Sequence, residues 1–407
     1  MSGFDPTTWT PLPVRAAVAP PGAVAALAAW AAGEGAWFDP IEIVTAADGN
    51  RTARARVDVA AGALLIAVPR ALMITDVDVA ARPEIAAVKE LETMMATRHS
   101  TIGAWLVREA ADPASRWRPY LDALPPAYPW LAAHRAAAEV AALAGTRALA
   151  MIVDQVEGCR GDLAFIAELV PDLAEVTLAD FAWGRLVAGT RCFRIADDDG
   201  SVRALVPIAD LLDHGRLDAT WRYDAAARRF EVRAARALAA GEEIQTSYGR
   251  HDNAVLASTH GIAQPDNPED EVLVHLPGPG GRAFALGAHY DLRIARAMAA
   301  AVARPGDTDT DALVRIARAA AATSAAIAAA PPPPPGDAGW AALCATVRAS
   351  ERAVAAAIAA FVDQVTAAGL ERPPEAWREL LAALDPAAPG ATRMLREFAE
   401  AATRSAG

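Results

Sequence analysis

Cysteine is scarce, and the three present, Cys159, Cys192 and Cys344, lie far apart with no C-x-x-C pair and no Cys/His cluster. Neither a structural zinc site nor a disulfide framework is supported by such a distribution. Blocks of Lys and Arg are missing as well. Lys+Arg 38 against Asp+Glu 50 leaves a net charge of −12 and a pI near 5.1. Binding phosphates needs a basic face, so a nucleic-acid partner is disfavoured. An acidic surface suits a basic peptide or protein, although simple solubility accounts for most charge of this kind. Long apolar runs are also wanting, because Arg, Glu and Asp break the Ala-rich stretches before ~18 apolar residues accumulate. The opening MSGFDPTTWTPLPVR has no basic start followed by an apolar segment. The expectation is a soluble, cytoplasmic, monomeric protein without a membrane span or a metal. Abundant alanine with scarce lysine fits a GC-rich bacterial genome.

What is present is enough chain, 407 residues, for two or three domains at ~100–200 residues each. Residues 21–33 read as a short helix with Pro21 near its start and Gly33 at its end. Strand-like runs follow at 41–44, 54–59 and 64–68, separated by Asp48-Gly49-Asn50 and Ala61-Gly62. From about 83 to 190 apolar residues recur at helical spacing, with proline punctuation. Strands return at 204–208, 219–223, 230–233 and 243–246. One more, 271–276, precedes Gly/Pro-rich turns and Ala-rich helices at about 288–330, 337–368 and 374–403. The tract 331–335 is a stiff spacer of five prolines. The expected architecture is α+β: a β-rich domain in two parts, 21–82 and 191–276, split by a helical insertion at 83–190. An all-α domain would follow at 277–407.

The segment 190–262 carries the chemistry. It contains Thr190-Arg191-Cys192-Phe193, then Pro207-Ile208-Ala209-Asp210-Leu211-Leu212-Asp213-His214. Gly241-Glu242-Glu243-Ile244-Gln245-Thr246-Ser247-Tyr248-Gly249, Asn253 and His260-Gly261-Ile262 complete it. Taken singly, each piece has a bland reading. An Asp-His pair after a strand is usually a turn or a helix cap. Ser247-Tyr248-Gly249 alone reads as a strand end with a packed tyrosine.

In this order, the pieces resemble the C-terminal half of SET domains in the subfamily of Rubisco large-subunit lysine and actin histidine methyltransferases. Val68-Pro69-Arg70-Ala71-Leu72-Met73-Ile74-Thr75, Ser115-Arg116-Trp117-Arg118-Pro119-Tyr120 and Phe181-Ala182-Trp183 extend the resemblance, which spans about 21–276. It implies a SET-type fold and S-adenosylmethionine-dependent methylation of a lysine or histidine on a protein or peptide. Tyr248 would be the catalytic tyrosine. The methyl donor would be held by Asn50, Arg51, Thr52, Arg191, Asp213, His214 and Tyr248. Asp210, Ser247 and Arg191 would face the substrate, although a structural Arg191–Asp210 pair is an equal reading. The C-terminal helices would present the substrate.

The sequence departs from that pattern at the donor end. Asn50-Arg51-Thr52 stands where the family carries Gly-x-Gly, a turn that lets backbone approach a ligand. A shifted register would give Gly49 that role. Asp213 stands in place of an asparagine, and an ionised carboxylate only accepts hydrogen bonds. Thr259-His260-Gly261-Ile262 replaces an aromatic–Gly–Phe end. Two further readings therefore stand beside the enzyme: a degenerate SET-fold binding module, and a tailoring methyltransferase for a small peptide natural product.

Overall fold

In the computed structural model, which describes residues 4–45, 51–83, 85, 88, 99–197, 200–276, 282–287 and 309–368, most apolar runs between turn residues become strands. The chain divides into two units. One comprises Leu12–Pro129 with Gln155–Arg250; the other comprises Met1–Pro11, Trp130–Asp154 and His251–Gly407. The four segments expected from sequence do not map one-to-one onto these units, since residues 130–154 of the insertion group with C-terminal residues.

The first unit holds β1 (Ile41–Thr45), β2 (Arg51–Ala55), β3 (Leu64–Pro69), β4 (Ile74–Thr75), β5 (Phe193–Asp197) and β6 (Gly200–Leu205). It continues with β7 (Asp213–Asp224), β8 (Arg229–Ala234) and β9 (Gln245–Thr246). They form a β1-β2 ribbon, a β4-β6-β5 sheet and a β3-β8-β7-β9 sheet. Leu65 to Val68 are buried in succession. A strand covered on both faces needs a continuous apolar run, as β3 has. Its neighbour β8 buries a charge, Glu231, which Arg222, Arg229 and Arg233 meet at 2.9, 2.5 and 3.1 Å. Burial works against this carboxylate, but the three guanidiniums outweigh it and hold its pKa below the usual value. In the β7–β9 pairing, which is parallel, the register shifts between His214 and Ala219.

Helices Ser100–Ala111 and Leu178–Arg191 cross at two glycines. A Cβ on Gly184 would overlap the Gly103 carbonyl oxygen, so the backbones approach as only glycine allows. The second helix is capped by Thr177, whose hydroxyl accepts from the Asp180 N–H at 3.1 Å, and it ends at Arg191.

In the second unit, β10 (Glu271–Leu276) and β11 (Arg282–Gly287) pair antiparallel, and helices Asp309–Ala329 and Ala338–Ala368 follow. Val140, Leu143, Leu149, Ile152, Trp340 and Val347 share its core. Buried Glu351 accepts from the backbone N–H groups of Arg147 (2.7 Å) and Ala148 (3.2 Å), capping helix Arg147–Leu169. Burial pushes its carboxyl up to about 8 against those hydrogen bonds.

Several sequence readings are corrected. The region 277–407 is not all-α, because β11 lies in it. Phe284 and Leu286 pair with Val274 and Val272, while Ala283 and Ala285 face outward, a two-residue alternation too short to register after a Gly/Pro-rich run. The strand read at 54–59 instead occupies Arg51–Ala55, since the Arg56 N–H turns to Pro40 and Val59 makes only an isolated bridge. Helix 288–330 is seen only as Asp309–Ala329, and the helix read at 374–403 lies outside the described residues. Residues Asp311–Ala329 have a mean hydropathy of 1.4 and, by length and composition alone, are apolar enough to cross a membrane; 44% of that stretch is buried in the protein.

Gly184→Ala is expected to destabilise the fold by about 1–3 kcal/mol, the usual result of overpacking. Denaturant unfolding at constant m-value checks it.

Candidate functional site

The site begins where helix Leu178–Arg191 ends. Arg191 Nη1 donates to the Asp210 carbonyl oxygen at 2.6 Å and lies 3.5 Å from Asp210 Oδ2. Its Nε donates to the Tyr128 hydroxyl at 3.3 Å. Tyr120 donates its hydroxyl proton to Asp210 Oδ2 at 2.8 Å, and both groups are buried. Burial pushes the Asp210 carboxyl up, with Arg191 and Tyr120 pulling it back. Burial opposes the charge on Arg191 too, yet Tyr128 and Asp210 outweigh it and raise its pKa. The Arg191–Asp210 pair is therefore real, and it anchors the end of the helix.

Asp210 belongs to a short turn, Ala209–Leu211, entered through Ile208 at φ 72° and ψ −52°. A positive φ is unusual for a β-branched residue and marks stored strain of order 1–3 kcal/mol. Ile208 is fully buried, so packing holds it there.

Beyond the turn, β7 opens with Asp213 and His214, paired with Gln245 and Thr246 of β9. The Tyr248 N–H donates to His214 Nδ1 at 3.1 Å, and the two rings lie 5.1 Å apart. Accepting at Nδ1 places a neutral histidine's proton on Nε2. The Tyr248 hydroxyl donates to the Leu212 carbonyl oxygen at 3.2 Å. Burial, and then the neighbouring Asp213, raise the Tyr248 pKa to about 12, so the phenol keeps its proton. Asp213 is lifted to about 6, first by burial and then by Glu243, with Arg191 pulling the other way. At pH 7 it is ionised, but only by about one unit.

The other expected residues fall as follows. Arg51 and Thr52 open β2, and Asn50 lies outside the described residues. Arg51 has Arg191, Tyr128 and Asp210 as its electrostatic neighbours. The Ser247 hydroxyl is engaged in its own turn, accepting from the Gly249 N–H at 3.2 Å. Asn253, part of the motif, serves the second unit: its amide donates to Gln264, Asp270 and Ser350. Tyr120 and Tyr128, which the sequence does not assign to the site, both reach it through their hydroxyls. No group of three or more potential metal ligands exists among the described residues.

Comparisons with known proteins bear on this arrangement. No protein-family model matches the chain. Actin-histidine N-methyltransferase of the dog, Canis lupus familiaris, is 28% identical over 259 residues, which is 61% of this chain and 44% of that protein. The Danio rerio protein of the same name is 28% identical over 273 residues, 64% of this chain and 46% of its own length. The chain thus spans less than half of these relatives. They are vertebrate proteins and lend no support to a bacterial source. Among solved structures, the SET domain of LSMT bound to lysine and AdoHcy superposes with a TM-score of 0.68 at 18% identity, covering 91% of this chain and 97% of that one. Rubisco LSMT bound to AdoMet gives 0.67 at 18% identity, covering 91% and 98%. The fold is that of a SET domain.

Two outcomes are expected of this geometry. Tyr120→Phe, which deprives buried Asp210 of a donor, should cost about 1–3 kcal/mol in denaturant unfolding. Asp213 titrates near 6 when folded against 3.8 as its ordinary value. Between those values the folded state binds more protons, so this group lowers stability as pH rises. Asp213→Asn should therefore melt at a higher temperature than the parent at pH 7, with the difference vanishing below about pH 4.

Proposed function

We propose that the chain is an S-adenosylmethionine-dependent N-methyltransferase acting on a lysine or histidine side chain of a protein or peptide. The observation that carries the reading is Tyr248: a neutral phenol tied to the Leu212 carbonyl oxygen beside His214 and Asp213.

The residues present fit such a donor. Arg51 Nη1, Thr52 Oγ1 and Asp210 Oδ1 are buried without a hydrogen-bond partner among the described residues, and Arg51 and Asp210 lie within electrostatic reach of the Arg191 guanidinium. Buried polar atoms of this kind are normally satisfied. Arg51, Thr52, Arg191, Asp213, His214 and Tyr248 would hold the donor, with Asn50 beside them in sequence. When bound, the donor supplies an electrophilic methyl group on a sulfonium. The chain's own part is orientation and exclusion of water. Tyr248 contributes an apolar ring wall and an oxygen that orients the incoming nitrogen. A lysine must first lose a proton, which at pH 7 costs about 4–5 kcal/mol from a pKa near 10.4. A histidine, near 6.5, avoids most of that cost.

The resemblance to the SET subfamily supports a protein substrate presented by the C-terminal helices. It supports a small-peptide substrate equally well. A cytoplasmic, monomeric protein belongs to the same proposal and rests on composition alone: acidic charge and separated cysteines. The Asp213 carboxylate favours one rival, a binding module that has lost the donor.

Calorimetric titration with S-adenosylmethionine decides between them: no heat at millimolar donor, with the protein folded, sinks the enzyme. Given binding, Tyr248→Phe should lower turnover by about 100-fold while donor affinity stays nearly unchanged. Equal loss of both would remove its assigned role. Mass spectrometry of lysate incubated with isotope-labelled donor then identifies the target.

A further inference from the structure

Arg51 is in an unusual position for a residue at the start of a strand. Asp210 of the Ala209–Leu211 turn lies within its electrostatic reach, and its Nη1 is buried with no hydrogen-bond acceptor among the described residues. Burial is the first cause that lowers its pKa, and the second is Arg191, a like charge. Two guanidiniums thus share one polar region. Asp210 has committed Oδ2 to Tyr120 and faces Arg191, and it makes no hydrogen bond to Arg51. Asp213, with Glu243 near it, supplies negative charge at the opening of β7. The region therefore holds an orphaned cationic donor at Arg51 and a carboxylate at Asp213, with Arg191 acting on both.

We infer that Arg51 binds the carboxylate of the donor's amino-acid portion and selects for it, while Asp213 takes the positively charged side of that portion. The inference rests on the donor reading above and goes beyond it by assigning ends. An α-amino acid group carries both charges. Near ionised Asp213 a carboxylate is repelled and an ammonium or sulfonium attracted. The carboxylate must then lie toward the guanidiniums, and a planar guanidinium fork matches a carboxylate with two parallel N–H donors. Arg51 and Asp213 become one device: the arginine offsets the repulsion that the aspartate introduces.

The test is titration calorimetry with two ligands, S-adenosylmethionine and its decarboxylated analogue, which keeps the ammonium and sulfonium. Arg51→Gln should weaken binding of the first by about 10- to 100-fold and of the second by less than about 3-fold. Arg51→Lys, which keeps the charge and loses the fork, should fall between the parent and Arg51→Gln for S-adenosylmethionine. In the Arg51→Gln background, Asp213→Asn should recover part of the lost affinity for the carboxylated ligand alone, a coupling that a double-mutant cycle reads directly. Equal loss for both ligands, or unchanged binding with a lowered melting temperature, overturns the inference and makes Arg51 a structural residue. A folded parent protein that binds neither ligand overturns the donor reading, and this assignment with it.

Discussion

The buried pairing of Arg191 with Asp210 is the constraint on which the site depends. Neither charge could stay in the interior alone, because an unpaired buried ion is far costlier than a paired one. Asp210 is held from three sides: by Tyr120 through its hydroxyl, by Arg191, and by a turn that forces Ile208 to a positive φ. The helix that delivers Arg191 is in turn fixed by the close crossing at Gly103 and Gly184. From this anchor β7 departs with a defined register, which sets Asp213 and His214 opposite β9 and so beside Tyr248. A fault at any of these points reaches the phenol through backbone geometry rather than through direct contact.

Much of this was legible in the sequence, for reasons that differ by element. The order Arg191, Asp210, Asp213-His214, Ser247-Tyr248 is a motif, and the structure brings all but Ser247 into one electrostatic neighbourhood. β3 was readable because a strand buried on both faces must be apolar throughout. β11 was not, since alanine fits either face and only Phe284 and Leu286 carry a period. Tyr120 and Tyr128 reach Asp210 and Arg191 across separations of 90 and 63 residues, and no local pattern encodes such a meeting. The strain at Ile208 is equally silent, for nothing about an isoleucine announces a left-handed backbone. Ser247, read as a substrate contact, uses its hydroxyl within its own turn.

The two departures from the SET-subfamily pattern look independent in sequence, more than 160 residues apart. The fold makes them near neighbours through Arg191, which acts on the charge of both Arg51 and Asp213. Arg51 and Asp213 thus carry opposite charges within electrostatic reach of one guanidinium.

The cap on helix Arg147–Leu169 has a consequence for how the chain is made. Its first N–H groups are satisfied by Glu351, 204 residues downstream of Arg147. During synthesis at roughly 5–20 residues per second, that helix start would wait on the order of 10–40 s for its partner to emerge. The second unit, assembled from residues at both ends and the middle of the chain, cannot close before then. Contacts this distant slow folding because loop closure precedes any gain from them. The nascent protein therefore passes through a long interval with an unfinished core, and chaperone engagement would matter most there.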